Sequence, residues 1–143
     1  MAHHPSFGAA LAWDVAGGAA YAAIGQVKDI SGPSISRGTV DVTDHDSTDG
    51  WREFIGGLVD GGEVSFIVAH DRGNAQHTAL WTHLSSDTCT MPAWQLTLNV
   101  CSGSAVWTFD GFLTGLSPST PVEGENTWEI AVKVTGKATL AVT

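Results

Sequence analysis

Residues 94–101 alternate without a break: Trp94, Leu96, Leu98 and Val100 fall on one side of the pattern, and Gln95, Thr97, Asn99 and Cys101 on the other. Successive side chains of a β-strand point to opposite faces, so a period of two describes a strand with one face in a core and one toward water. A helix over these residues would scatter the same apolar groups around its circumference. The pattern returns at Val64, Phe66 and Val68, opposite Ser65 and Ile67, and again at Trp128, Ile130, Val132 and Val134. Residues 106–116, which follow a polar Ser102-Gly103-Ser104 turn, read as the hairpin partner of residues 94–101. Trp107 and Phe109 take one side of that partner, and Thr108 and Asp110 the other.

Earlier strands are expected over residues 21–30 and around Val40 and Val42, separated by a Gly32-Pro33 corner, because the residue before a proline is pushed out of the helical region. A last strand is expected at residues 138–142, after a Gly136-Lys137 turn. One helix interrupts the series. Asn74 is a suitable cap, and His77, Leu80, Trp81 and Leu84 follow the i, i+3, i+4, i+7 spacing of a single buried stripe. The expected fold is therefore mainly β: a β-sandwich or small barrel of about seven short strands with one short flanking α-helix and a long inter-strand loop.

A chain of 143 residues is one domain by length and can bury about two thirds of its unfolded surface. Residues 1–20 carry His3, His4, Pro5 and many Ala and Gly without a sustained period, which marks an N-terminal arm; the domain proper is expected over residues 21–143. The apolar run 7–24 is broken by Asp14 and a glycine pair, and no basic residues precede it in the manner of a secretory signal, so neither a membrane span nor secretion is expected. Cys89 and Cys101 have no CxxC spacing and read as free thiols.

Residues 43–62 are acidic at the start, aromatic in the middle and glycine-rich at the end, and they lack alternation over most of their length. They are expected to form a long loop, and loops of that length in compact domains are functional or disordered. Trp51, Phe54 and Ile55 argue for a surface to bury against rather than for disorder. Their neighbours Asp44, Asp46, Asp49, Arg52 and Glu53 complete the candidate set. The acidic run does not fit a calcium loop, because a pattern begun at Asp44 puts Asp49 at the glycine position and Ile55 at the bidentate glutamate position. Cofactor, metal and nucleotide motifs are otherwise lacking, and no serine sits at a strand-to-helix elbow, so no catalytic residues are assigned. The dipeptides His45-Asp46 and His70-Asp71 are the nearest approach to acid–base chemistry, should strand pairing unite them. Fifteen acidic residues against six basic ones give a net charge of -9, which repels phosphate backbones and anionic membranes.

In their order along the chain, Asp29-Ile30-Ser31-Gly32-Pro33, Val40-Asp41-Val42-Thr43, Gly50-Trp51-Arg52-Glu53-Phe54-Ile55 and Gly61-Gly62-Glu63-Val64-Ser65-Phe66 resemble the major tail tube proteins of long-tailed, siphovirus-like bacteriophages. That resemblance is strongest over residues 24–69. It implies a non-enzymatic virion subunit that forms homo-hexameric rings, which stack into a hollow tube through which DNA is ejected. The implied partners are further copies of the chain, the tape measure, tail tip and terminator proteins, and DNA in transit without specific binding, with no membrane. It further implies assembly in the bacterial host cytoplasm, residence in the virion tail, and no cofactor. The candidate residues of loop 43–62 are then expected at the joint between stacked rings, with Trp51, Phe54 and Ile55 for burial and Arg52 and Glu53 for register. Two other readings stay open: a tail terminator or gene-transfer-agent tail ring protein, and, farther off, a carbohydrate-binding β-sandwich with exposed tryptophans as its platform.

Overall fold

A computed structural model of the chain describes residues 7–86, 89–100 and 103–143, without the side chains of residues 99 and 100. Nine strands and one helix follow in the order β1 (Ala10–Asp14), β2 (Ala22–Ala23), β3 (Val27–Ser31), β4 (Ser36–Asp41), β5 (Phe54–Asp60), β6 (Glu63–Ala69), α1 (Ala75–Ser85), β7 (Ala93–Val100), β8 (Gly103–Ser119) and β9 (Thr127–Val142). Seven strands form one antiparallel sheet in the order β2-β1-β7-β8-β9-β6-β3, while β4 and β5 form a separate two-stranded sheet. The sheet is open rather than a closed barrel.

The long strands β8 and β9 organise this sheet. β7 pairs with β8 over residues 103–110, and β6 pairs with β9 over residues 127–133, so each half of the β8–β9 ribbon carries its own set of flanking strands. Register shifts between Thr108 and Asp110 and between Leu113 and Gly115 break the ribbon where those sets meet. An inserted residue bends a strand and increases its twist. The two halves consequently face one another: Phe66 of β6 and Trp94 of β7 are separated in the sheet by two strands, yet their rings lie 6.0 Å apart. Leu11, Trp13, Val64, Val68, Leu80, Leu96, Phe109, Ile130, Val132 and Val134 fill the same core. The period-two expectations at residues 64–68, 94–98 and 130–134 therefore describe inward faces.

Several local expectations are corrected. Residues 10–14 of the expected arm form a strand in the sheet, paired with β7 in a register that sets Trp13 against Trp94. Leu11 and Trp13 are almost completely buried, and this burial outweighs the weak strand preference of the alanines around them. No turn occurs at Gly136-Lys137. Gly136 has φ +74° and sits in a bulge where residues 136–138 oppose Phe109 alone, so β9 runs on as a single strand. Residues 21–30 are divided into β2 and β3 at Gln26, which has φ 61°. Cys89 is a free, exposed thiol; Cys101 and the first residue of the expected Ser102-Gly103-Ser104 turn lie outside the described residues.

The helix begins where expected, since the Asn74 side chain accepts a hydrogen bond from the Gln76 amide at 2.9 Å. Its buried stripe is His77, Leu80 and His83, with Leu84 partly buried, and Trp81 turns outward. His77 is tied on both ring nitrogens: Nδ1 accepts the Asp71 amide at 3.1 Å and Nε2 contacts the Gly25 carbonyl at 2.8 Å. The Trp13 indole N–H donates to Gln76 Oε1 at 2.8 Å and fastens β1 to the helix. No described helix is long and apolar enough to cross a membrane.

His83 carries a testable consequence. Its ring packs edge-on to Trp13, its Nδ1 is buried with no hydrogen-bond partner among the described residues, and burial lowers its pKa from the ordinary 6.5. The folded state resists a proton that the unfolded chain takes up, so this contribution to stability is full above pH 6.5 and declines as the pH falls below it. His83→Phe keeps a ring against Trp13 and should flatten the dependence of the denaturation midpoint on pH below 6.5. An unchanged pH slope would show that His83 does not set it.

Candidate functional site

The two-stranded sheet is a hairpin that stands away from the core. β4 and β5 pair Ser36 with Asp60, Arg37 with Val59, Thr39 with Gly56, Val40 with Ile55 and Asp41 with Phe54, and a register shift separates Arg37 from Thr39. All six residues of β4 are exposed. The expected long loop over residues 43–62 is therefore corrected: only its first part is a loop, and residues 54–60 are a strand. Gly56 and Gly57 interrupt the pattern, and a strand exposed on both faces leaves no alternation to read.

An isolated two-stranded hairpin is marginally stable in water. This one is braced at both ends. At its base, Asp60 Oδ1 accepts hydrogen bonds from the Gly62 amide at 2.8 Å and from Lys133 Nζ at 3.0 Å, and these hold the Asp60 carboxyl below its ordinary 3.8. The Val134 amide donates to the Gly62 carbonyl at 3.0 Å. Gly62 itself has φ +69°, and a Cβ there would collide with the Ser34 carbonyl, so glycine is required where the hairpin rejoins the body.

At its tip, every acidic candidate lies within one ordered turn or next to it. Val42 N–H donates to the Glu53 carbonyl at 2.9 Å, and the Glu53 amide donates to Thr43 Oγ1 at 2.8 Å. The Asp44 amide donates to Ser47 Oγ, whose hydroxyl donates to Glu53 Oε2, both at 3.1 Å. Asp44 Oδ1 accepts the Asp46 amide at 2.9 Å. Asp49 and Gly50, with φ 55° and 74°, lie in a single 3₁₀ turn over Thr48–Gly50 that delivers the chain to Trp51. Hydrogen bonds from Thr43, through its side chain and its amide, hold the Asp41 carboxyl below 3.8, with a smaller contribution from Arg52, which bonds Asp41 Oδ2 at 3.1 Å. Both carboxyls therefore stay ionised to a lower pH than a free aspartate, and their bonds are lost as the pH falls through that lowered range.

This ordered frame presents apolar side chains to water. Trp51 is 75% exposed, Phe54 56% and Ile55 55%. Val40 lies directly across from Ile55, so these two share a face, while Phe54 faces the side of Asp41. Leu58, Val59 and Ile35 were not among the sequence candidates, yet Leu58 is 92% exposed and all three line a cleft of about 700 Å³ beside residues 134–138 of β9. The exposed apolar residues thus fall in two places, Trp51, Phe54 and Ile55 at or near the tip and Ile35, Leu58 and Val59 at the base. The other tryptophans, apart from Trp81, are buried or partly buried, so the body has no aromatic platform.

The two His-Asp dipeptides are not brought together. His45 lies in the hairpin tip, whereas His70 stacks on Trp128 at 3.9 Å, with His77 beside it in the body. Among the described residues no group of three or more His, Cys, Asp or Glu is arranged to hold a metal ion. The hairpin offers exposed apolar side chains, a paired charge and strand edges, features that protein–protein interfaces use.

Comparison with known proteins points the same way. No curated protein sequence matches the chain. Among solved structures, the fold is similar to the tail of an empty gene transfer agent particle of C6 symmetry, at TM-score 0.70 and 19% identity over 92% of this chain and 94% of that one. It is also similar to the sheath–tube complex of an extracellular contractile injection system, PVC, in its extended state, at TM-score 0.76 and 14% identity over 99% and 93%. The tail tube of SPP1 matches at TM-score 0.68 and 15% identity over 95% and 78%. The family model of the lambda phage tail tube protein matches residues 8–141, nearly the whole chain. The chain belongs to the lambda phage tail tube protein family, and it is a structural subunit of a tail tube.

Proposed function

We propose that this subunit closes into hexameric rings, that the rings stack through the β4–β5 hairpin, and that the resulting tube is the conduit for DNA during ejection. One observation carries the reading: an internally braced hairpin exposes Trp51, Phe54, Ile55 and Leu58 far from any core of its own. The candidates Asp44, Asp46, Asp49, Trp51, Arg52, Glu53, Phe54 and Ile55 then act at the axial joint, the aromatics by burial and the charges by fixing register.

Unpaired strand edges support the lateral joint. Among the described residues, β8 beyond Asp110 and β9 beyond Val134 each pair on one side only, and β3 closes the sheet at one end. Such edges invite pairing with another chain, and a ring of like subunits satisfies them in a closed cycle. A net charge of -9 disfavours the counterion release that holds a protein on DNA, so a strand can slide past. The protein has no catalytic role in this scheme. It works in the virion tail after assembly in the host cytoplasm, between terminator and tip and around the tape measure.

Negative-stain electron microscopy over a concentration series tests the scheme directly. Hollow tubes with sixfold end views are the expected result. Rings that never elongate would favour a terminator instead, and monomers at every concentration, even with preformed tail tips added as nuclei, would overturn the reading.

A further inference from the structure

We infer that α1 is an acid-labile element: it rests on the sheet through two uncharged imidazoles on its buried face, so that mild acid releases the helix while both sheets stay folded. Histidine is the side chain whose charge changes between about pH 5 and 8. Of the chain's six histidines, three stand at the footing of this one helix: His77 and His83 on its buried face, and His70 just before it. The rings of His70 and His77 lie 5.9 Å apart. His45 is in the hairpin tip, and His3 and His4 lie outside the described residues.

Each ring on the helix is placed for its neutral form. The Nδ1 of His77 accepts the Asp71 amide, so the ring's proton is on Nε2 and faces the Gly25 carbonyl. A second proton would set a ring N–H against the N–H of Asp71, and would put a charge on a side chain that is completely buried. A cation on His70 as well would add repulsion at short range. His83, edge-on to Trp13, has no partner for Nδ1 among the described residues, and burial disfavours its charged form. Without these rings the helix keeps only Leu80 and its neighbours in the core and the Trp13–Gln76 hydrogen bond. No strand pairing runs through residues 77 or 83, so the sheets do not depend on them.

Among the described residues no carboxylate pairs with any of the three rings. α1 itself contains no Asp, Glu, Lys or Arg. In the segment before it, Arg72 is exposed, and Asp71 turns its carboxylate to the Gly73 amide at 2.9 Å and the Gln26 side chain at 3.4 Å. On the β1 side, the Asp14 carboxylate accepts the Ala16 and Ala20 amides. Glu125, next to the Asn126 carbonyl that takes the His70 amide, pairs with Lys28. On β9 and β8, Glu129 and Asp110 are exposed and alternate with the inward Ile130 and Phe109. The hairpin responds in a different range, because hydrogen bonds, led by those of Thr43 and Gly62, hold the Asp41 and Asp60 carboxyls below 3.8. Acid that charges the histidines therefore leaves the hairpin tied.

Hydrogen–deuterium exchange of the purified subunit, read by mass spectrometry with exchange times corrected for the intrinsic pH dependence, follows each element separately. Between about pH 7.5 and 5, residues 75–85 are expected to lose protection roughly tenfold or more while residues 63–69 and 127–134 keep theirs. Constant protection of residues 75–85, or a helix and strands that fail together, would overturn the inference. Substitutions give a second measurement. His77→Asn keeps an acceptor for the Asp71 amide that mild acid does not protonate, and combined with His83→Phe it should remove the response of the helix to pH. His45→Gln, in the hairpin tip, should leave that response as in the wild type. A doubly substituted chain that still releases the helix in acid would assign the release to other groups and refute this one. If that variant does not fold, the element-by-element comparison in the wild type decides alone.

Discussion

Trp94→Ala is expected to cost the subunit about 3–5 kcal/mol, the usual range for deleting a buried large aromatic. A domain of this size has about 5–15 kcal/mol to lose, so the variant should be barely folded or unfolded at 25 °C, as read by urea denaturation. The size follows from what the side chain joins. Trp94 is fully buried on β7, 5.0 Å from Trp13 on β1, 6.0 Å from Phe66 on β6 and 6.4 Å from Phe109 on β8. It touches both halves of the folded-over sheet. Its indole N–H donates to the Gly111 carbonyl at 3.0 Å, beside the ribbon's change of register, where a Cβ on Gly111 would press on the Lys133 carbonyl. Trp94→Phe separates the two contributions: most of the ring stays, the hydrogen bond goes, and the loss should be about 1–3 kcal/mol. A loss below about 1 kcal/mol for the alanine variant would mean that the two halves are not held together here.

The elements that were readable from the sequence are those whose burial is one-sided. Val64, Phe66 and Val68, or Trp94 and Leu96, must alternate because one face meets the core and the other meets water. Asn74 was readable for a local reason, since a capping side chain needs only the amide two residues on. What was missed depends on distant partners. β1 is a five-residue strand, Ala-Leu-Ala-Trp-Asp, whose signal is two buried side chains, and nothing local says that Trp13 will lie against Trp94. Gly136 has the same appearance in a turn as in a bulge, and only the pairing of β9 with β8 on both sides of it decides. Trp81 was assigned to the helix stripe because it is apolar, but the stripe is narrow, and His83 takes the inward position instead.

The candidate site was readable in its side chains more than in its shape. Trp51, Phe54 and Ile55 were conspicuous as large apolar groups in a polar, glycine-rich stretch with no predicted core face. Their support was not visible: the links from Asp44 through Ser47 to Glu53, and from Asp41 to Arg52, join residues that a linear reading cannot pair. The cleft was hidden for a further reason. Its walls come from Leu58 and Val59 on one side and Val134 and Ala138 on the other, more than seventy residues apart in the chain, and it exists only because Asp60 and Gly62 bind the hairpin to β9.

Replacing both exposed aromatics, Trp51→Ala with Phe54→Ala, should leave the subunit as stable as the wild type while tubes fail to grow. Neither side chain belongs to the core, and surface substitutions away from such contacts stay within about 0.5 kcal/mol, so thermal melting should be unchanged. Assembly should respond very differently. Aromatic anchors at the centre of an interface cost about 2 kcal/mol or more each when truncated, and about 1.4 kcal/mol is a factor of ten in affinity. Together the two should raise the concentration required for elongation roughly 100-fold or more, measured by light scattering and checked by electron microscopy. The braced tip makes the experiment interpretable, because the backbone bonds of Val42, Glu53 and Asp46 do not pass through either aromatic side chain. A loss of tubes is then a loss of contact rather than of hairpin order. Tubes of wild-type length at the wild-type concentration would remove the hairpin from the axial joint and shift attention to the open edges of β3, β8 and β9.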